Sequence, residues 1–269
     1  MKKLLVLICS LAISACSAVP SISVSPKSQF NNIEQIITQI EKTDVLLLSD
    51  HTKPGHLNLS SGGANGVERN FIDPAIVKLN NALKNRNLST YVLNVEDLLF
   101  DKDIIENKHD FDLAYANYDK VLKAAVKHNA TIISLHFDAD IIFPENYKEG
   151  SLYIGGVQFI LDKRNMSHAT QKLTYYLLHD YKILESLNNA GFRTRPGYEE
   201  TIKYQDNLTL KITGGSIGGG FLLELAAQDQ AIRLYNTPEK TAEALTPTLL
   251  LLAKAIDDFR RQNRLRNSL

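Results

Sequence analysis

The stretch Thr131-Ile132-Ile133-Ser134-Leu135-His136-Phe137-Asp138-Ala139-Asp140 is the best guide to the fold of this chain. Its β-branched, apolar start is typical of a buried strand, and it follows a segment with helical spacing, which favours a parallel α/β sheet. The apolar run stops at Ser134, and side chains that can bind a metal follow it, at His136, Asp138 and Asp140. Because ligands bind beyond the carboxyl ends of strands in such sheets, His136 is a candidate metal ligand. An ordinary half-exposed histidine at a strand end is the alternative.

Strand and helix patterns alternate along the rest of the chain. Apolar runs predict further strands at 44–48, 90–93, 152–161 and 221–225, and helical spacing predicts helices that begin near residues 31, 68, 111, 167 and 238. The segment 192–213 shows no clear pattern. We therefore predict an α/β fold, a single domain with a mostly parallel central sheet flanked by helices on both faces.

The first residues have the composition of a secretion signal. Met1-Lys2-Lys3 precedes an apolar run, from Leu4 to Ala15, that is too short to span a bilayer. The run ends in Leu11-Ala12-Ile13-Ser14-Ala15-Cys16, which resembles the bacterial lipobox. The resemblance implies cleavage before Cys16, a lipid on its sulfur and, with Ser17 next, sorting to the outer membrane. An ordinary secretory signal that is cut nearby is the alternative.

These features predict the organisation of the chain. We expect a lipoprotein signal peptide at 1–15, a tether at 16–30 and an α/β domain at 31–269, held in the periplasm by the lipid on Cys16. Cys9 would leave with the signal peptide, so no cysteine would remain in the domain for a disulfide. A domain of this length, in a chain with 44% hydrophobic residues, can instead be stabilised by its core.

The charge balance argues against nucleic acid as a partner. The chain has 30 basic and 30 acidic residues, and removal of Lys2 and Lys3 with the signal peptide would leave a small acidic excess. Nucleic-acid-binding domains are normally strongly basic.

Three candidate ligands follow or open separate predicted elements. His51 follows the first strand, Glu68 opens the next helix, and His136 follows the later strand. Two imidazoles and one carboxylate are a ligand set of catalytic zinc that leaves a fourth position for water. Glu224, within the apolar run Phe221–Leu225, is a candidate proton carrier because burial would raise its pKa. Alternatively, Glu68 is simply an acid in the first turn of a helix, where the helix dipole favours it. The alternative for Glu224 is a position on the solvent-facing side of an edge strand.

The order of these features resembles the zinc-dependent N-acetylmuramoyl-L-alanine amidases of the amidase_3 type. In that family, a ligand His ends a strand, and a glycine-rich loop leads to a Glu. A Ser-Ile-His-x-Asn strand end supplies the second His, and a Val-Glu strand supplies the catalytic Glu. The matching segments here are Ala64–Asn70, Ile133–Ala139 and Phe221–Leu225. The resemblance implies that His51, Glu68 and His136 hold Zn²⁺ and that Glu224 is the catalytic general base and then the proton donor.

The chain departs from the family pattern in two places. Leu48-Ser49-Asp50-His51 stands where the family has Asp-Pro-Gly-His-Gly-Gly, and the nearby Pro54-Gly55-His56 imitates that motif locally. We prefer His51 as the first ligand because it lies directly after the strand, and His56 is the alternative. Asp138 replaces the family's Asn, and it could join the metal or hydrogen-bond a ligand.

The activity implied by the resemblance is hydrolysis, by zinc-activated water, of the amide bond between N-acetylmuramic acid and L-alanine in peptidoglycan. Two alternatives remain open. One is a different zinc amidohydrolase or peptidase on the same fold. The other is a non-catalytic lipoprotein that binds the cell wall through a degenerate amidase fold. The sequence does not identify a protein regulator.

Overall fold

The computed structural model of the protein describes residues 30–49, 51–57, 68–139, 141–142, 152–197 and 202–267. The predicted signal peptide, Cys16, the tether up to residue 29, Asp50 and Asp140 lie outside these residues. So do residues 58–67, which include the start of the Ala64–Asn70 segment.

The described residues form a six-stranded sheet and a separate two-stranded one. The strands are β1 (Val45–Ser49), β2 (Thr90–Asn94), β3 (Thr131–Asp138), β4 (Ile141–Ile142), β5 (Leu152–Tyr153), β6 (Gln158–Leu161), β7 (Ile202–Tyr204) and β8 (Gly220–Ala227). The order in the large sheet is β2-β1-β3-β8-β6-β7. Its described pairings are parallel except for the antiparallel pair of β6 and β8. Strands β4 and β5 pair with each other.

Helices cover both faces of the large sheet. They are α1 (Ile33–Ile40), α2 (Arg69–Lys84), α3 (Lys108–Lys127), α4 (His168–Tyr175), α5 (Ile183–Asn189), α6 (Leu208–Thr213), α7 (Gln228–Tyr235), α8 (Pro238–Ala244) and α9 (Thr246–Asn267). Successive residues of a strand point to opposite faces. Ile133 and Leu135 accordingly join a core with α2, α4, α5 and α9, whereas Ile132 joins a core with α1 and α3. The predicted fold class, a single α/β domain with a mostly parallel sheet between helices, is confirmed.

The carboxyl edge of the sheet is stepped. Pairing of β1 with β3 ends at Leu48 and Ser134, whereas pairing of β3 with β8 continues through His136 and Glu224. His136 therefore lies inside β3, and its predicted position after the strand was wrong. His51, which follows β1, lies opposite His136 at this step, with 3.1 Å between His51 Nε2 and His136 Nδ1.

Some predicted elements are divided in the structure. The run 152–161 forms two strands, β5 and β6, in different sheets, because Gly155 and Gly156 lie between them against the backbones of Ala139 and Arg193. The long helix predicted after Ser167 is divided into α4, a π-helical turn and α5, with a break at Lys182, whose φ is +49°. Within the residues that the structure describes, no helix is long and apolar enough to cross a membrane.

Candidate metal centre

The side chains of His51, Glu68 and His136 meet at the stepped carboxyl edge of the sheet. His51 lies two residues beyond the end of β1, Glu68 is the residue that precedes the first residue of α2, and His136 is near the end of β3. The side chain of Glu68 makes no capping hydrogen bond to its own helix. It points instead at the two imidazoles, so a role for this carboxylate as a helix cap does not account for its position.

The three side chains enclose a space of the size that a metal ion requires. His51 Nε2 lies 3.1 Å from His136 Nδ1 and 3.2 Å from Glu68 Oε2, and His136 Nδ1 lies 3.0 Å from Glu68 Oε1. Ligand atoms about 2.1 Å from a tetrahedral zinc are roughly 3.4 Å apart, close to these separations. Two imidazole nitrogens and a carboxylate oxygen are also the donor types that zinc selects. The cluster can hold a metal ion without a large rearrangement.

The cluster is buried on one side and open on the other. His136 and Glu68 are 8% and 7% exposed, whereas His51 is only partly buried. A site with three protein ligands and one accessible side matches a catalytic zinc centre, in which the fourth position is left for water or substrate.

Neighbouring polar groups orient two of the three candidate ligands. Ser134 Oγ lies 2.9 Å from His136 Nε2 and can accept its hydrogen, the tautomer that leaves Nδ1 as the donor atom facing the cluster. The backbone N–H of Phe137 donates to Glu68 Oε1 at 2.9 Å. Such outer contacts are typical of metal ligands, whose orientation and basicity they set.

The ionisation of Glu68 favours cation binding. Burial opposes the charged carboxylate, but the adjacent His136, His51 and the Phe137 N–H outweigh it, and the pKa of Glu68 is lowered. A carboxylate that stays ionised is the form that binds a metal.

Glu224 lies beside the cluster on the neighbouring strand. It pairs with His136 in the register of β3 and β8, and its side chain therefore points to the same face of the sheet. Its Oε2 is buried and has no hydrogen-bond partner among the described residues. Burial raises the pKa of Glu224 well above its usual value; His136 opposes this shift, and the negative charges of Glu68 and Asp138 add to it. Strand β8 lies between β3 and β6, so the edge-strand alternative for Glu224 is wrong.

Two other residues suggested by the sequence lie outside the three-residue cluster. His56 Nδ1 accepts the backbone N–H of Ile105 at 3.0 Å, which fastens its loop to the segment after β2. Asp138 accepts hydrogen bonds from the backbone N–H of Gly156 and from Gln158 Nε2, so it connects β3 to the start of β6. Asp50 and Asp140 are not among the described residues.

Sequence reasoning missed residues that support the site. Ser134 has a recognisable signal, since it precedes His136 by two positions and shares its face of the strand. Arg69 follows Glu68 directly, but nothing in a helical pattern distinguishes it from a solvent-exposed arginine. Arg195, whose Nη1 lies 3.8 Å from Asp138 Oδ2, comes from a segment with no clear pattern.

Comparison with solved structures identifies the fold. The N-acetylmuramyl-L-alanine amidase Ami1 from Mycobacterium smegmatis superposes with a TM-score of 0.50 at 13% identity, over 80% of this chain and 98% of that chain. The CwlD amidase from Clostridioides difficile, solved in complex with the GerS lipoprotein, gives a TM-score of 0.48 at 15% identity, over 77% and 96% of the two chains. No protein-family model and no curated protein matches the sequence. At such low identity the likeness concerns the fold alone: the chain has the fold of the Mycobacterium smegmatis amidase.

Proposed function

We propose that this protein is a zinc-dependent peptidoglycan hydrolase, an N-acetylmuramoyl-L-alanine amidase. The observation that carries the proposal is the meeting of His51, Glu68 and His136 at the carboxyl edge of the sheet, with Glu224 beside them. The fold shared with an amidase of this specificity supports the choice of substrate.

In this proposal His51 Nε2, His136 Nδ1 and a carboxylate oxygen of Glu68 hold the zinc ion. Zinc held by these residues would polarise a substrate carbonyl, stabilise an oxyanion and lower the pKa of water toward about 7. Ser134 keeps His136 in the tautomer that presents Nδ1, and the Phe137 N–H keeps Glu68 in place. The scissile amide, between the lactyl group of muramic acid and L-alanine, approaches from the open side next to His51.

Glu224 moves the proton in this reaction. Its buried Oε2 accepts a proton from the attacking water, and the same carboxyl group then delivers the proton to the amide nitrogen as the amine leaves. In the metal-free site, burial and the negative charges of Glu68 and Asp138 hold the pKa of Glu224 high, and a divalent cation close by would favour the ionised form. The carboxylate would then be the form present before the reaction, as a general base requires.

Digestion of purified peptidoglycan by the domain at 31–269 tests the activity. We expect about one zinc per chain, release of new L-alanine amino groups and no new reducing sugar ends. His136→Ala should lose zinc and activity together, and Glu224→Gln should lose activity and keep zinc. New ends at another amide bond would instead indicate a different zinc amidohydrolase or peptidase. Cell-wall binding without zinc or turnover would indicate a binding protein.

We also propose that Cys16 is lipidated and anchors the protein to the outer membrane, so that the catalytic domain faces peptidoglycan in the periplasm. The lipobox-like segment Leu11–Cys16 supports this. Wild-type protein should fractionate with outer membranes and incorporate labelled palmitate, and Cys16→Ser should do neither. A soluble, unlabelled wild-type protein would favour an ordinary secretory signal.

A further inference from the structure

Arg69 is a buried arginine directly behind the candidate metal centre. It is the first residue of α2, adjacent to Glu68, and only 1% of it is exposed. A buried guanidinium is costly unless it is paired and hydrogen-bonded. The acceptors of its hydrogen bonds therefore show which parts of the fold Arg69 connects.

Every N–H of this guanidinium has an acceptor. Nη1 donates to the backbone carbonyl of His51 and to Glu96 Oε2 at 3.3 Å. Nη2 donates to Asn94 Oδ1 at 2.7 Å and to Glu96 Oε1 at 3.1 Å, and Nε donates to Asp73. The five donors of the planar guanidinium thus join the loop after β1, the end of β2 with the residues that follow it, and Asp73 within α2.

The contact with His51 links Arg69 to the candidate ligands. Glu68 directly precedes α2 and His136 lies in β3, so regular structure holds both. His51 lies in the irregular segment after β1 and is the most exposed of the three. The backbone of His51 is thus held by a hydrogen bond from a side chain that is itself fixed by four other hydrogen bonds.

We infer that Arg69 is a positioning residue for the metal centre: its hydrogen bond to the His51 carbonyl holds the His51 imidazole opposite Glu68 and His136. The inference rests on the proposed zinc site. Lysine cannot replace Arg69 in this role, because a single ammonium group has three donors and cannot span acceptors on three elements. The charge of Arg69 is balanced locally by Glu96, which Lys53 also contacts at 3.2 Å, and by Asp73.

The alternative is that Arg69 only stabilises the fold. Arg260 is a matched control for that role, because it joins separate elements at the opposite edge of the same sheet. It bonds Asp44 Oδ1 at 2.8 Å and Thr131 Oγ1 at 3.0 Å, far along the strands from the cluster. Both substitutions, Arg69→Lys and Arg260→Lys, keep the positive charge and replace the planar guanidinium with an ammonium group.

The experiment measures zinc affinity by competition with a chelating dye, the visible spectrum of the Co²⁺-substituted protein, and urea unfolding of the metal-free protein. We expect Arg69→Lys to bind zinc about 10- to 100-fold more weakly than wild type. Its Co²⁺ spectrum should also differ, since the ligand geometry is changed. Arg260→Lys should lose stability and keep both zinc affinity, within about threefold, and the wild-type Co²⁺ spectrum.

The possible results separate this inference from the proposed function. Wild-type protein that binds neither metal contradicts the metal centre itself. Wild-type affinity and spectrum in Arg69→Lys, with a functioning wild-type site, contradict the role of Arg69 alone. If Arg69→Lys does not fold, Asp73→Ala provides the test, because Asp73 accepts the Nε hydrogen from a partly exposed position and alanine removes that acceptor. Weaker zinc binding in Asp73→Ala supports the inference, and unchanged binding contradicts it.

Discussion

Glu224 is the residue on which the proposed chemistry depends most directly. Substitution Glu224→Gln keeps the shape of the side chain and removes its ability to accept a proton. We expect amide hydrolysis to fall by about 10²- to 10⁴-fold, the usual contribution of a general base, while zinc content stays at the wild-type level. Assays of released amino groups together with metal analysis check this. Glu239→Gln, on the exposed surface, serves as the control and should have wild-type activity.

The same carboxyl group should make the stability of the metal-free protein depend on pH. Burial raises the pKa of Glu224 in the folded state, so the folded protein binds more protons than the unfolded chain between the two pKa values. Stability contributed by this group is therefore fully present at acidic pH and is lost as pH rises through the folded-state pKa.

Glu224→Gln should consequently stabilise the metal-free protein relative to wild type at about pH 8, because the amide carries no charge into the buried site, and each unit by which the pKa is raised corresponds to about 1.4 kcal/mol. The difference should shrink toward about pH 4.5, where the wild-type carboxyl group is protonated. Urea unfolding of both proteins in the presence of a chelator measures it. A difference that is constant with pH would mean that Glu224 is not the group responsible.

At the scale of residues, the sequence predicted the members of the cluster better than their surroundings. His51, Glu68 and His136 could be singled out because each follows or opens a predicted strand or helix. The positions of His56 and Asp138 depend on the paths of irregular segments, and strand and helix periodicity contains no information about those paths. Arg69 was missed because its burial depends on acceptors from β2 and from the loop after β1.

At the scale of elements, the chain is closely packed at the glycines before β8. A Cβ atom on Gly218 would lie 2.3 Å from the backbone oxygen of Asn129 and 2.5 Å from that of Ala130. The Gly218 carbonyl also accepts a hydrogen bond from Thr131 Oγ1. The absence of a side chain therefore lets the start of β8 lie against the start of β3.

We expect Gly218→Ala to destabilise the fold by about 1–3 kcal/mol or more, because the added carbon would lie too close to the backbone oxygens of Asn129 and Ala130. Urea unfolding measures the loss. Ile217→Ala, at a neighbouring side chain that is 56% exposed, should change stability by only about 0.5 kcal/mol. If both variants had the same stability, the close approach would not constrain this segment.

The elements themselves were predicted where their patterns are long and uniform. The apolar run of β1 and the helical spacing of α2 and α3 appear in the structure close to their predicted bounds. The run 152–161 was misjudged because β-propensity does not show that Gly155 and Gly156 divide it between two sheets. The small elements β7 and α6 are short, and their burial depends on β6 and on α3, which are distant in sequence.

At the scale of the whole molecule, the site follows from the topology of the sheet. Strands β1, β3 and β8 are adjacent and parallel although they are far apart in sequence, so their carboxyl ends bring His51, His136 and Glu224 together. The order of strands and helices along the chain predicted a parallel sheet, but not which strands are neighbours. Strands β3 and β8 are neighbours, and this places Glu224 at the cluster. Only the family resemblance implied that Glu224 would lie there.

Zinc should therefore stabilise the whole folded domain, because the three ligands converge only when the sheet and α2 are assembled. Free zinc at about 100 times its dissociation constant should add about 2.7 kcal/mol to the free energy of unfolding and raise Tm by several degrees, reversibly on addition of a chelator. His51→Ala should abolish this increment. His56→Ala should lower the starting stability, since His56 bonds the Ile105 N–H, and should keep the increment. Thermal unfolding of the three proteins with and without zinc measures these effects. An increment lost in His56→Ala and kept in His51→Ala would reassign the first ligand, and an equal increment in all three would place zinc at another site.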